Sequence, residues 1–418
     1  MRKGITSAGT LIVCAAVGWS AAGCEDSTGG APSVAARVVG EAKSDAAPRG
    51  APGITALTWN VYLGADIGRV LAAQTADEAV VLATEEWGHV QATDFPARAG
   101  ALARAIAARR PHVVGLEELA LYRTTDNPLE PATRVAYDFL QLVIDSLHAR
   151  GVDYTAAAVD RTSDLQVPVI AGVDASGQPI LAGVRWTDGD AVLVRADVPY
   201  ADARSGVYAA SQVVTIAGVT SALYQGWSSI VATVDGRAYR FVVTHLVGQE
   251  APDVQLAQAG ELLALLSAET GSTILVGDFN SDAYGIDPTR VTPTYPMMLA
   301  AGYGDTWMEP ERHALGLTCC QQGDLLNARS TFDQRIDFVF ARNLPAGTVP
   351  VRRGVVGDRP ADRTASGPVA VGPRRRGRVA PDAGGPVITI TAGRFRRRSV
   401  RDRATRRASR AGRQAPFG

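Results

Sequence analysis

Lysine is almost missing: Lys3 and Lys43 are the two in 418 residues, and all other basic side chains are arginine, a bias that points to a GC-rich coding sequence. Cysteine is scarce too. Cys14 and Cys24 fall in an N-terminal segment of export type, which leaves only the adjacent pair Cys319 and Cys320 and excludes a disulfide framework across a core. Two thiolates alone make a poor closed zinc site, so the pair reads as loop thiols or a local vicinal bridge. No fixed-period repeat is present. The apolar stretch around "GTLIVCAAVGW" is too short and too rich in small residues for a permanent membrane span. An apolar fraction of 46% nevertheless excludes a chain disordered throughout, and the length allows one large α/β domain or two smaller ones.

The formal charge of zero hides an asymmetry. Pro368 to Gly418 holds fourteen arginines against Asp382 and Asp402, so the remainder is acidic by about twelve charges. That acidity argues against strong nonspecific binding to DNA.

Arg2 and Lys3, the apolar stretch and "SAAGC" read as an export signal over residues 1–24. "SAAGC" resembles a bacterial lipobox with Ala21 in place of the usual leucine. Cys24 would then be the lipid-modified first residue of a membrane-tethered chain; simple secretion with cleavage near Ala22 and a retained anchor are the alternatives. All three place the mature protein outside the cytoplasm, as an envelope lipoprotein or a secreted protein. Residues 25–53 are Gly, Ala, Ser, Pro and scattered charge and read as a disordered tether.

The folded domain is expected over 54–367. "GITALTWNVYLG" reads as a largely buried strand, Asp66 to about Gln91 and Phe95 to Arg110 as helices, "HVVGLEEL" as a strand, and about Val135 to Arg150 as a helix. A strand-rich middle follows, with "SIVATV" and "YRFVVTHL" flanking the hairpin signal "DGRA". A helix from Pro252 to about Ala268 leads into "TILVGDFN", and "RIDFVFA" is a late strand. Hairpins mixed with strand-helix-strand units imply mixed sheets under helical cover.

Polar residues recur where apolar strands end: Asn60 after "ALTW", Glu118 after "VVGLE", His245 after "FVVT", Asp278 and Asn280 in "ILVGDFN", and Asp337 within "RIDFVF". One such residue is ordinarily a turn or cap residue. Six together point to an active site. Asn, Glu and Asp supply hard oxygen ligands for Mg²⁺ or Mn²⁺, Asp278 can orient or deprotonate an attacking water, and Asn280 and His245 can donate to phosphoryl oxygens. Asp305 in "GYGDTW" fits a turn as well as a catalytic role. His89, His112, His148 and His313 read as surface or core histidines.

"TWNV", "GLEEL", "VVTHL", "LVGDFN" and "RIDFVF", in that order, resemble the endonuclease/exonuclease/phosphatase superfamily of DNase I-like metal-dependent phosphoesterases. The resemblance covers Ile54 to about Gly367. It implies a four-layer α/β/β/α sandwich with two facing mixed β-sheets and the site at one rim. It further implies that Asn60 and Glu118 help bind the metal, that Asp278 positions the nucleophilic water, and that Asn280 and His245 contact the phosphate. Glu117 stands where the family usually has glutamine and could compete as ligand.

The resemblance also implies a closing Ser-Asp-His motif whose histidine is held by Asp337, yet no histidine follows His313. Instead the chain turns to arginine, alanine and glycine after Pro368. Written as codons with free third bases, Pro368 to Arg378 read one base forward can encode Leu-Trp-Pro-Ser-Asp-His-Ala-Gly-Val-Val-Ala. The 368–418 tail is therefore expected to be out-of-frame translation and largely disordered, with "PVITITAG" at Pro386 able to pair as a substitute strand. A genuine basic tail binding nucleic acid or anionic lipid is the competing reading.

The expected function is exported, Mg²⁺-dependent hydrolysis of a phosphodiester or phosphomonoester, impaired by the missing motif. Nucleic acid, a lipid headgroup and a small phosphoester all remain open as substrate. The alternative is a non-catalytic surface lipoprotein that binds phosphorylated ligands, or a degraded gene product.

Overall fold

The computed structural model describes residues 53–308, 315–327, 329–345, 348–357, 364 and 385–392. The export-type segment with Cys24, the stretch read as a tether (apart from Gly53, which begins a strand), His313, and the arginine-rich tail apart from 385–392 lie outside the described residues.

The described chain opens on β1 (Gly53–Asn60), passes through α1 (Ile67–Leu71), α2 (Ala76–Ala92) and α3 (Phe95–Arg109), and enters β2 (Val113–Glu117). The hairpin β3 (Leu121–Thr125) and β4 (Arg134–Asp138) precedes α4 (Phe139–His148). Next come β5 (Tyr154–Val159), the hairpin β6 (Asp164–Val173) and β7 (Pro179–Thr187), and β8 (Ala191–Arg195). β9 (Tyr200–Val207) leads to a small hairpin, β10 (Gln212–Ile216) and β11 (Val219–Leu223), and then to a long one, β12 (Gly226–Val234) and β13 (Arg237–His245). The last part runs α5 (Pro252–Leu265), β14 (Thr273–Asp278), α6 (Thr294–Ala300), β15 (Gly304–Asp305), β16 (Asp337–Arg342), β17 (Thr348–Val356) and β18 (Gly385–Ala392).

Two six-stranded sheets dominate, ordered β17-β18-β1-β2-β8-β5 and β15-β16-β14-β13-β12-β9. β1 pairs parallel with β2, and β13 with β14; the remaining pairs are antiparallel, so both sheets are mixed. Three apolar clusters fix the layering. Ile54, Ala56, Val113 and Val192 of the first sheet meet Ile230, Phe241, Ile274 and Val276 of the second. Leu57, Val114 and Leu116 on the far face of the first sheet pack with Phe95, Leu102 and Phe139 of the helices. Val242, Leu275 and Phe340 on the far face of the second pack with Leu262 of α5 and Met298 of α6. The result is an α/β/β/α sandwich, the DNase I-like fold.

Several local expectations change. The helix read over Asp66 to about Gln91 is two helices, because Thr75 caps a new start by accepting from the Glu78 amide while Glu78 accepts from the Gln74 amide. Val135 opens no helix; it lies in β4, and Asp138 caps α4 by accepting from the Gln141 amide. The hairpins of 121–187, which the sequence pattern does not announce, assemble as a separate sheet, β4-β3-β7-β6. One piece of the tail does take a strand, with β18 lying between β1 and β17.

Candidate active site

Side chains alternate faces along a strand, and the site follows from that alternation. Ile54 and Ala56 face the second sheet, and two and four residues on come Thr58 and Asn60. Val113 continues to Gly115 and Glu117, Phe241 and Val243 to His245, Ile274 and Val276 to Asp278. Each apolar row between the sheets thus ends in a polar group at the same rim. Asp337 begins its strand rather than ending it; because β16 is antiparallel to β14, Asp337 still faces this rim, with Val339 next on its row. In register, His245 lies beside Asp278 and Asp278 beside Asp337. Gly115 permits the close approach of the sheets, since a Cβ there would stand 2.6 Å from Val276 Cγ2.

Glu118 joins from the turn after β2. Its φ of 58° is in the left-handed region, as are those of Tyr62 (60°) and Asn280 (48°), so three non-glycine residues just past strand ends hold unfavourable backbone around the site.

The side chains interlock. Asn60 Nδ2 donates to Glu118 Oε1 (2.9 Å) and to Asp278 Oδ2 (3.1 Å), while Asn60 Oδ1 accepts from the Tyr62 amide (2.9 Å). The Leu63 amide donates to Glu118 Oε2 (2.7 Å), and the Asn280 amide to Asp278 Oδ1 (2.8 Å). Asn280 Nδ2 lies 3.2 Å from His245 Nε2 and donates to the Leu246 carbonyl (2.9 Å). His245 Nε2 is 3.8 Å from Asp278 Oδ2. Asn60, Glu118, His245, Asp278, Asn280 and Asp337 are therefore gathered at one place, all but Asn280 buried.

Negative charge is in excess. Burial, with repulsion from Asp278 and Glu118, pushes Glu117 up to about 8 although the Thr58 hydroxyl donates to it (2.5 Å). Burial and then Asp278 also hold Asp337 well above the carboxylate range against the lowering effect of the Thr318 hydroxyl, and among the described residues neither of its oxygens accepts a hydrogen bond of good geometry. Burial acts to lower His245, but Asp278, Glu118, Asp188 and Glu117 outweigh it and raise its pKa. Asp188 escapes the sequence reading. It lines the same cleft, is buried, leaves Oδ1 without a partner among the described residues, and is raised to about 7 by burial and by Glu118. Its sequence signal, the first of two Asp in "WTDGD", is indistinguishable from a turn.

Among the described residues no cluster of three or more His, Cys, Asp or Glu closes around a metal by itself. A hydrated hard cation needs less. Mg²⁺ is held by one or two carboxylates with water and substrate oxygens, and Glu118 and Asp278, tied to one amide amid raised neighbouring carboxyls, suit that role. Asn60 turns Nδ2 toward both carboxylates and uses Oδ1 on the backbone, so here it binds the carboxylates to each other.

Other candidates resolve as structure. Asp305 accepts from the Trp307 amide, the Tyr295 hydroxyl and Arg335, in a buried ion pair of 2.5 Å. His112 accepts at Nδ1 from the Thr55 amide, and His148 and His89 pair with Asp153 and Glu86. Cys319 and Cys320 form a vicinal disulfide at the cleft.

Residues 57–366 match the model of the Endonuclease/Exonuclease/phosphatase family. Among solved structures, a family protein from Leptotrichia buccalis is 16% identical over 80% of this chain and 98% of its own, with a TM-score of 0.45. A Bacteroides thetaiotaomicron mannosyl-6-phosphatase is 18% identical (81% and 99% covered, TM-score 0.42), and Danio rerio TDP2 complexed with single-strand DNA product is 16% identical (81% and 98%, TM-score 0.43). No curated protein sequence gives a significant match. Since the family model spans most of the chain, from within β1 past β17, this chain belongs to the Endonuclease/Exonuclease/phosphatase family.

Proposed function

We propose that the chain is an exported phosphoesterase, Mg²⁺-dependent, that hydrolyses a phosphodiester or phosphomonoester by attack of water, and that it is impaired as written. The observation that carries this reading is the shared rim: five inter-sheet rows from different strands end in Asn60, Glu117, His245, Asp278 and Asp337.

Glu118 and Asp278 would hold the cation, with Glu117 as the competing carboxylate. A divalent cation at this position supplies charge to offset that developing on phosphoryl oxygens. Asp278, fixed through both oxygens by Asn60 and the Asn280 amide, is placed to orient a water and take its proton. His245, with its raised pKa, and Asn280 Nδ2 donate to the phosphoryl group. Asp337 is left over. Among the described residues this buried carboxyl has the Thr318 hydroxyl acting on it but no hydrogen bond of good geometry, as expected if the histidine it orients were missing, and this supports the frame-slip reading of the tail. Export, with lipidation of Cys24, rests on the N-terminal sequence.

The test is hydrolysis of bis(p-nitrophenyl) phosphate with Mg²⁺ by the chain as written, by Asp278→Ala, and by a version ending in the restored Ser-Asp-His frame. Activity lost in Asp278→Ala and raised about 10²- to 10⁴-fold by the restored ending is expected. Equal rates for the written and restored chains would sink the impairment, and hydrolysis indifferent to Asp278 would sink the enzyme.

A further inference from the structure

The site opens into one cleft of about 610 Å³, within the range of small-molecule pockets. Glu118, His245, Asp278 and Asn280 form its polar end. Apolar side chains line another part of the cleft, Leu63, Ile67 and Leu71 from β1's exit and α1 and Val214 and Leu223 from the β10–β11 hairpin, with Asp66, Gln212 and Thr215 of the same segments among them. These accessory pieces are joined to each other, the Ala217 amide donating to the Ala73 carbonyl (3.4 Å). The wall begins next to the chemistry, because the Leu63 amide is bonded to Glu118 itself.

Charge in the cleft points the same way. Among the described residues five carboxyl groups line it, Asp66, Glu118, Asp188, Glu250 and Asp278, against a single arginine, Arg290. Arg290 already lies 3.4 Å from Asp287 and 3.8 Å from Asp333. A nucleic-acid strand needs a succession of cations for its phosphates, and the described lining offers none.

We propose that the wall of Leu63, Ile67, Leu71, Val214 and Leu223 is a subsite for the alkyl or aryl group of a small phosphate ester, whose single phosphate lies at Glu118, His245 and Asp278. This rests on the phosphoesterase reading and narrows it to a compact amphiphile. One phosphate satisfies the polar end, and a carbon chain or ring satisfies the wall without adding charge to an acidic cleft.

The experiment is calorimetric binding of methyl phosphate and monomeric octyl phosphate to the full chain in Mg²⁺, alongside a ten-residue oligothymidylate and phosphatidylcholine vesicles. Octyl phosphate should bind about tenfold tighter than methyl phosphate or better, a modest share of the roughly fourfold per fully buried methylene. Val214→Asn, on the hairpin, and separately Leu71→Asn should each shrink the octyl-to-methyl ratio. Equal binding of the two esters, with methyl phosphate still requiring Mg²⁺ and Asp278, would overturn the subsite and spare the phosphoesterase reading. Tighter binding of the oligonucleotide or the vesicles than of octyl phosphate would also overturn it. If no ester binds and none is hydrolysed, both readings fall.

Discussion

Asp337 stands directly opposite Asp278 in the β14–β16 register, each carboxyl fully buried at the rim between the sheets. Burial first, and then the like charge of Asp278, raise the pKa of Asp337, with the Thr318 hydroxyl acting against them.

Asp337→Asn should therefore have opposite meanings in two backgrounds. In the chain as written it is expected to leave phosphodiesterase activity within about threefold and to raise the melting temperature, since a buried, repelled acid is replaced by its neutral isostere. With the restored ending, the same change should cost about 10²-fold or more in kcat, through loss of the group that orients the histidine. Parallel activity and melting measurements on four proteins check this; an equal loss in both backgrounds would contradict it.

Asn60→Asp should damage both fold and site. The amide now joining Glu118 to Asp278 would become a third carboxyl with no proton to give either. A loss of about 1–3 kcal/mol in urea unfolding is expected, with Mg²⁺ restoring part of it. A variant as stable as the parent in chelator would show that the bridge matters little.

Asp305→Ala separates architecture from chemistry. Removing it strands Arg335, which is 2% exposed, and should destabilise by about 3–5 kcal/mol. If catalysis is lost while the unfolding midpoint is unchanged, Asp305 belongs to the active site after all.

The buried carboxyls also set a pH trend. Asp160, Asp188 and Glu117 are raised, chiefly by burial, to about 6, 7 and 8. Each folded pKa lies above its unfolded value near ~4, so the folded state holds more protons between about pH 4 and 8 and stability falls as pH rises through that window. His112 acts oppositely: burial lowers its pKa, and protonation would break its bond from the Thr55 amide, so its share of stability is lost as pH falls below ~6.5. Three carboxyls outweigh one imidazole. Thermal melts in chelator should show a higher midpoint at pH 5.5 than at pH 8, with the gap reduced by Mg²⁺; a midpoint that rises with pH would count against the assignment.

Mixed sheets under helical cover and the six polar residues at strand ends are legible by local reading, because apolar strands cut off by Asn, Glu, His or Asp need no distant information; the four-layer sandwich is legible only through the family resemblance. Asp188 and Glu117 are not legible as titrating groups, because their burial comes from strands far away in sequence. Nor is the β4-β3-β7-β6 sheet, whose strands are partly exposed and polar, as in "LYRTT" and "RVAYD". The break between α1 and α2 is visible in principle, since "TADE" at Thr75 has the sequence form of a capping box, although Glu78 accepts from the Gln74 amide rather than that of Thr75.

β18 gives the tail a structural stake that its composition conceals. Gly53 to Leu57 are matched residue for residue with Thr391 back to Val387, so the backbone of the strand that ends in Asn60 is bonded on that side by this segment. Translation in the alternative frame deletes that partner along with the arginines. Whatever peptide replaces it inherits two tasks at once, delivering a histidine to Asp337 and zipping shut the flank of β1.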